Sequence, residues 1–120
     1  MKHPLLTSEA IKALSPLEAD IVRAMQPAGK YSAAEIYTNI SSRQKVAHSS
    51  ISVLLDRLYK RGVVSRETKT ARGGIRFIYS LETNKERYEK SVVDNTVNLL
   101  IKRFGAKAIA YFNESLKTKR

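Results

Sequence analysis

The chain has 120 residues, 42% of them hydrophobic, enough for one folded domain or for a small domain with an appendage. Its formal net charge of +11, from 22 Lys and Arg against 11 Asp and Glu, points to a polyanionic partner, nucleic acid ahead of an anionic membrane. With no cysteine there is no disulfide, zinc finger or thiol chemistry, and with no apolar run of about 18 residues and no signal-peptide pattern the expectation is a soluble, cytoplasmic protein.

Residues 1 to 14 carry little signal beyond Thr7 or Ser8 as a cap for a short turn through Ile11 and Leu14. His3 and His48, the only histidines, lie far apart and are read as surface or capping residues, so no metal or other cofactor is expected. Ser15-Pro16-Leu17-Glu18 is a capping box with proline at the first helical position, and the helix it opens has Leu17, Ile21, Val22 and Met25 on one face. Pro27 and Gly29 end it. Ser32-Ala33-Ala34-Glu35 repeats the box and opens a second helix with Ala33, Ile36, Tyr37 and Ile40 inward.

After a polar connection, a third helix is expected from Ala47 to Arg61, with Gly62 as its left-handed cap. Ile51, Leu54, Leu55 and Leu58 recur at the spacing of a buried face, while His48, Ser49, Ser52, Val53 and Asp56 fall on the other side. That outward face is short, polar and almost uncharged, suited to lying against base edges between phosphates. Beyond Gly62 the period changes to two. Val63 to Arg66 reads as one strand, Ile75, Phe77, Tyr79 and Leu81 mark a second, and Glu67 to Gly74 is expected as a basic loop between them. Three helices followed by a basic hairpin give a mostly α fold with a small β wing, the winged helix-turn-helix. Thr83-Asn84-Lys85-Glu86 is read as a third capping box, opening a helix to Phe104, and a last helix is expected from Ala106 to Leu116. The stripe Tyr88, Val92, Val93, Val97, Leu100, Ile101 and Phe104, continued by Ile109 and Phe112, follows a module whose core is already complete, so it is assigned to a homodimer interface. The chain thus divides into a DNA-binding domain over 1–82 and a helical dimerisation region over 83–120.

Between Arg43 and Arg76 nine basic residues stand against Asp56 and Glu67, which places +7 of the net charge in this segment. His48, Ser49, Ser50, Ser52 and Val53 are the expected base-reading residues, although Ser50 lies near the buried edge. Arg43, Lys45, Arg66, Lys69, Arg72 and Arg76 are expected on phosphates or in the minor groove. Arg57 joins the phosphate-binding set, with pairing to an acid as its alternative. No glycine-rich phosphate loop follows a strand and no nucleophile, base and acid share a recognisable spacing, so an enzyme is not expected.

Leu14 to Val22, Ser32 to Tyr37, Val46 to Gly62 with its Leu58-Tyr59-Lys60-Arg61-Gly62 end, and Phe77-Ile78-Tyr79-Ser80 together resemble the penicillinase repressor family of winged-helix regulators. The resemblance covers roughly residues 14 to 104 and implies a homodimeric transcriptional repressor of a palindromic operator. Departures at Ala47, His48, Ser49 and Ser52 leave the operator sequence open, and the lack of cysteine separates the chain from copper-responsive members. In antibiotic-responsive members cleavage falls in the dimerisation region, where the equivalent bond here follows Tyr111. The inducing signal stays open. The alternative from another class is an architectural or protein-interaction winged helix without sequence choice.

Overall fold

Local hydrogen bonding decides where most helices begin. The computed structural model of the chain describes residues 3–118, so the ends of the two expected domains, 1–2 and 119–120, lie outside the described residues. Thr7 caps α1 (Ser8–Lys12), its hydroxyl accepting from the Ala10 amide at 3.1 Å. Ser15 opens α2 (Pro16–Arg23) through a reciprocal pair, hydroxyl to the Glu18 amide and Glu18 carboxylate to the Ser15 amide. Ser32 and Glu35 repeat this at α3 (Ala33–Ser41). Each box satisfies two amides that the first helical turn leaves without partners, and a side-chain cap contributes about 1 kcal/mol.

The third expected box does not form. The cap of α5 (Lys85–Phe104) is Asn84, whose side chain accepts from the Arg87 amide at 3.0 Å. The reason lies in Glu82, a buried carboxylate whose Oε2 accepts from the Thr83 and Asn84 amides, both at 3.1 Å. The amide that Glu86 would have needed is already bonded, and the helix starts one residue later.

The central helix, α4 (His48–Lys60), buries Ile51, Leu55 and Leu58 and ends in a Schellman motif: the Gly62 amide donates to the Tyr59 carbonyl and the Val63 amide to the Leu58 carbonyl, both at 3.0 Å. Gly62 sits at φ +79, and a Cβ there would lie 2.4 Å from the Ser91 Cβ, so the residue is glycine for its backbone and for the approach of α5. Val63 and Val64 then drop into the core formed with Ile21, Val22, Met25, Ile36, Ile40, Tyr79 and Leu81.

Three antiparallel strands, β1 (Tyr31–Ser32), β2 (Val64–Ala71) and β3 (Gly74–Leu81), make a sheet in the order β1-β3-β2. One expectation is corrected here, and one strand is new. The stretch Glu67 to Ala71, expected as loop, is strand, because Thr68, Lys69 and Thr70 pair in register with Phe77, Arg76 and Ile75. Only Arg72 and Gly73 remain as the turn, and Gly73 at φ +92 takes the position of a two-residue loop that calls for a positive φ. The third strand, β1, pairs Tyr31 with Tyr79 and Ser32 with Ile78 and had no sequence signal of its own.

His3 is also corrected. It is buried, its Nε2 lies 2.7 Å from the Val63 carbonyl oxygen, and its Nδ1 accepts from the Leu5 amide at 3.1 Å, which fixes the neutral tautomer protonated on Nε2. Its ring lies 6.5 Å from that of Tyr88 on α5, so the N-terminal segment is laid across the joint between module and tail. Beyond that joint α5 and α6 (Lys107–Thr118) run outward, and the radius of gyration, 16.9 Å, exceeds the value of about 14 Å for a compact chain of this length.

Candidate nucleic-acid interface

α3 and α4 are joined by the polar segment Ser42 to Ala47, and the buried face of α4 leaves its other side bare. His48, Ser49 and Ser50 in its first turn are exposed, and Ser52 is half-buried. Val53, 56% exposed, is an apolar side chain with no place in the core. The His48 ring rests 5.2 Å from that of Tyr37, which steadies it over α3. Ala47 gives α4 no side-chain cap, so the first amides and the positive end of the helix dipole face outward with the serines. Shallow grooves flank the helix, one of about 450 Å³ toward the wing beside Ser52 and Phe77, the other of about 370 Å³ toward α2 beside Leu17 and Ser49.

The cations sort into two groups. Lys45, Arg57, Lys69, Arg72 and Arg76 are exposed and have no ion-pair partner among the described residues. The acid that Arg57 was given as an alternative is therefore not there. Lys69 and Arg76 face one another across the strands of the wing, an arrangement that like charges resist unless an anion lies over them. Arg72 is at the tip. The others are engaged: Arg43 donates to the Asn39 Oδ1 at 2.9 Å, Lys60 pairs with Asp56 at 3.0 Å, Arg61 reaches the buried Glu18 at 3.3 Å and Lys30 reaches Glu67 at 3.1 Å.

Arg66, expected as a wing phosphate ligand, is the most engaged of all. Its guanidinium donates to the Asp56 Oδ1 at 2.9 Å and lies between two rings, 4.0 Å from the centre of Tyr59 and 4.2 Å from that of Phe77. Burial opposes its charge, but hydrogen bonds with Tyr79 and Asp56 outweigh that and hold its pKa above the ordinary value. The Asp56 carboxyl is held below the usual carboxylate range by hydrogen bonds from Lys60 first and Arg66 second. Asp56 had been placed on the outward face without a role. Its spacing of four from Lys60 was a legible helical pair, whereas its bond to Arg66 joins two different elements.

The apolar stripe of α5 divides between two sides. Tyr88 and Val92, with Asn95 and Thr96, line a cleft of about 190 Å³ against Leu6, Ala10, Leu14 and Val63 of the same chain. Val93, Val97, Leu100 and Phe104 repeat at spacings of four, three and four on the side turned away. There Val93 is 59% and Phe104 57% exposed, and no residue of α5 is fully buried. Ile101 is half-buried near the turn into α6, where Ile109 and Phe112 are exposed.

A helix-turn-helix whose second helix keeps a bare polar face, followed by a hairpin carrying unpaired cations, defines a winged-helix DNA-binding protein. The chain belongs to the penicillinase repressor family, whose sequence model matches residues 14–120; it is a DNA-binding transcriptional regulator and not an enzyme. Its fold is similar to that of a protein from Methanosarcina mazei described as a possible transcriptional regulator, with 10% identity, TM-score 0.55 and coverage of 92% of this chain and 80% of that one. It is also similar to the Orc1 protein of Aeropyrum pernix in complex with DNA, at 19% identity and TM-score 0.54, over 78% of this chain and 28% of the other. Bacillus subtilis PadR in complex with operator DNA matches at 18% identity and TM-score 0.50, over 68% and 47%. None of the functionally curated protein sequences matches the chain. Among the described residues no helix is long and apolar enough to cross a membrane.

Proposed function

We propose that the protein is a homodimeric repressor that recognises a palindromic operator. The observation that carries this reading is the pairing of a bare, nearly uncharged face on α4 with uncommitted cations on either side of it, Arg57 on the helix and Lys69, Arg72 and Arg76 on the wing. His48, Ser49, Ser50, Ser52 and Val53 then read base edges and thymine methyls, while Lys45 and the free cations bind phosphates. Arg43 keeps one hand on Asn39 and supplies charge from the preceding turn. The face has no Arg, Asn or Gln for two-point base reading, so part of the specificity comes from DNA shape. Dimerisation through Val93, Val97, Leu100, Ile101 and Phe104, with Ile109 and Phe112, covers the apolar side of α5 and α6 and sets two reading heads one helical turn or more apart. Tyr88 and Val92 serve the joint within each subunit instead. No cofactor is required.

Selection of bound sequences from a random duplex pool at physiological salt tests this. The expected result is a consensus with two-fold symmetry. Binding without any consensus refutes the operator reading in favour of an architectural winged helix.

A further inference from the structure

We infer that Arg66 is a positioning residue that fixes the angle between wing and α4, so that base reading and phosphate binding occur together, and that it is not itself a phosphate ligand. This rests on the reading of α4 and the wing as the DNA surface. Arg66 stands at the root of the wing, paired across the strands with Tyr79 and placed beside the last turns of α4. Three elements meet on its guanidinium: Asp56 and Tyr59 from α4, its own strand β2, and Phe77 from β3. A planar cation between two rings, bonded at its edge to a carboxylate, is held in both translation and rotation, which a lysine ammonium in the same place would not be.

The geometry makes a small angle matter. From Arg66 to Ala71, the last strand residue before the turn, the strand extends by about 17 Å, so tilting its root by about 10° carries its end about 3 Å, the whole length of a hydrogen bond. The side chain of Arg66 is 20% exposed, and a phosphate would have to displace Asp56 and unstack a ring to reach it. Among the described residues nothing comparable restrains the outer half of the hairpin, where Ile75 is 75% exposed and Lys69 faces Arg76.

The decisive experiment uses the sign of an effect. Asp56→Asn removes an acid from beside the DNA-facing surface and releases both Lys60 and Arg66, so electrostatics alone makes DNA binding tighter. If Arg66 is a positioning residue, binding becomes weaker. Phe77→Leu removes one ring without changing any charge and gives a second arm that does not depend on charge. Full-length wild type and both variants are titrated with the duplex selected above and with an unrelated duplex of equal length, over a range of salt concentrations. Hydrogen exchange of the wing amides is followed without DNA.

The expected result is a loss of about fivefold or more in affinity for the selected duplex in both variants, the scale of a half-buried cation–π contact. The unrelated duplex loses less, the salt slope of non-specific binding is unchanged, and amides from Thr68 to Phe77 exchange faster. Tighter or equal binding by Asp56→Asn overturns the proposal, as does exchange at the wild-type rate. Wild-type protein that binds neither duplex refutes the DNA reading itself, and the exchange rates then decide alone whether Arg66 fixes the wing.

Discussion

Lys69→Gln acts on folding and on DNA binding with opposite signs. Lys69 and Arg76 occupy opposed positions in the wing, both exposed and neither with an acid partner among the described residues. Like charges facing across a sheet cost a few tenths of a kcal/mol at an exposed site, so removing one raises the melting temperature of the free protein by about 1–3 °C. In the proposed DNA complex the same residue neutralises a phosphate. Two copies in the proposed dimer contribute about 1.8 to the slope of log affinity against log salt, and the variant loses that amount. Over the fourfold change from about 50 to 200 mM salt, affinity of the variant therefore falls about twelvefold less than that of wild type. Anisotropy titrations at several salt concentrations, with thermal unfolding in the absence of DNA, measure both effects. An unchanged slope removes Lys69 from the DNA surface, and a lower melting temperature refutes the repulsion. A slope change of about 0.9 instead counts a single wing per complex.

Gly62→Ala forces a left-handed backbone and pushes a methyl to 2.4 Å from the Ser91 Cβ, so the melting temperature drops by about 4–8 °C or more, and adding Ser91→Gly restores only part of it. A wild-type melting temperature in the single variant would show that the joint yields freely. His3 is held neutral because burial outweighs its bond to Val63 and the charge of Glu82, and its pKa is lowered. The unfolded chain takes up that proton near pH 6.5, so stability is complete well above that pH and declines as pH falls through it toward the folded value; His3→Gln makes the decline below about pH 7.5 shallower, and identical profiles from thermal unfolding exclude the linkage. Val97→Lys places a charge on the outward side of α5. Light scattering should then give 13.5 kDa rather than twice that, with the circular dichroism of the module retained, and an unaltered dimer mass removes Val97 from the interface.

Features set by bonds between near neighbours were legible in the residues. Ser15 with Glu18, Ser32 with Glu35, and the Gly62 cap need only three or four consecutive positions, and each forms as read. The misreadings arise where a second partner competes or a distant element intervenes. Thr83 loses its role because Glu82, the residue before it, takes the amide first, a competition that spacing rules do not weigh. Thr68 to Thr70 lack apolar alternation and become strand only because β3 lies alongside. His3 is buried against a carbonyl sixty positions away, and β1 exists only as an edge pairing with Ile78 and Tyr79 of β3. The candidate interface was legible as charge and polarity, but which cations were free was not. Arg66 and Arg72 are alike in sequence, and only the meeting of α4 with both wing strands separates a residue held on every side from one at an open tip.

The two faces of α5 have a mechanical corollary. Because Ser91 and Val92 meet the module while Val97 and Leu100 lie on the opposite side of one continuous helix, in the proposed dimer the helix acts as a crankshaft whose phase sets the aim of both reading heads. One residue inserted between Thr96 and Val97 would rotate the outward side by about 100° and leave each module intact but misdirected. Seven inserted residues would nearly restore the phase, to within about 20°, while moving the module and the dimer seam about 10 Å further apart. If the proposed dimer reads an operator, its half-site spacing is thus written in helical register as much as in the residues of α4 and the wing.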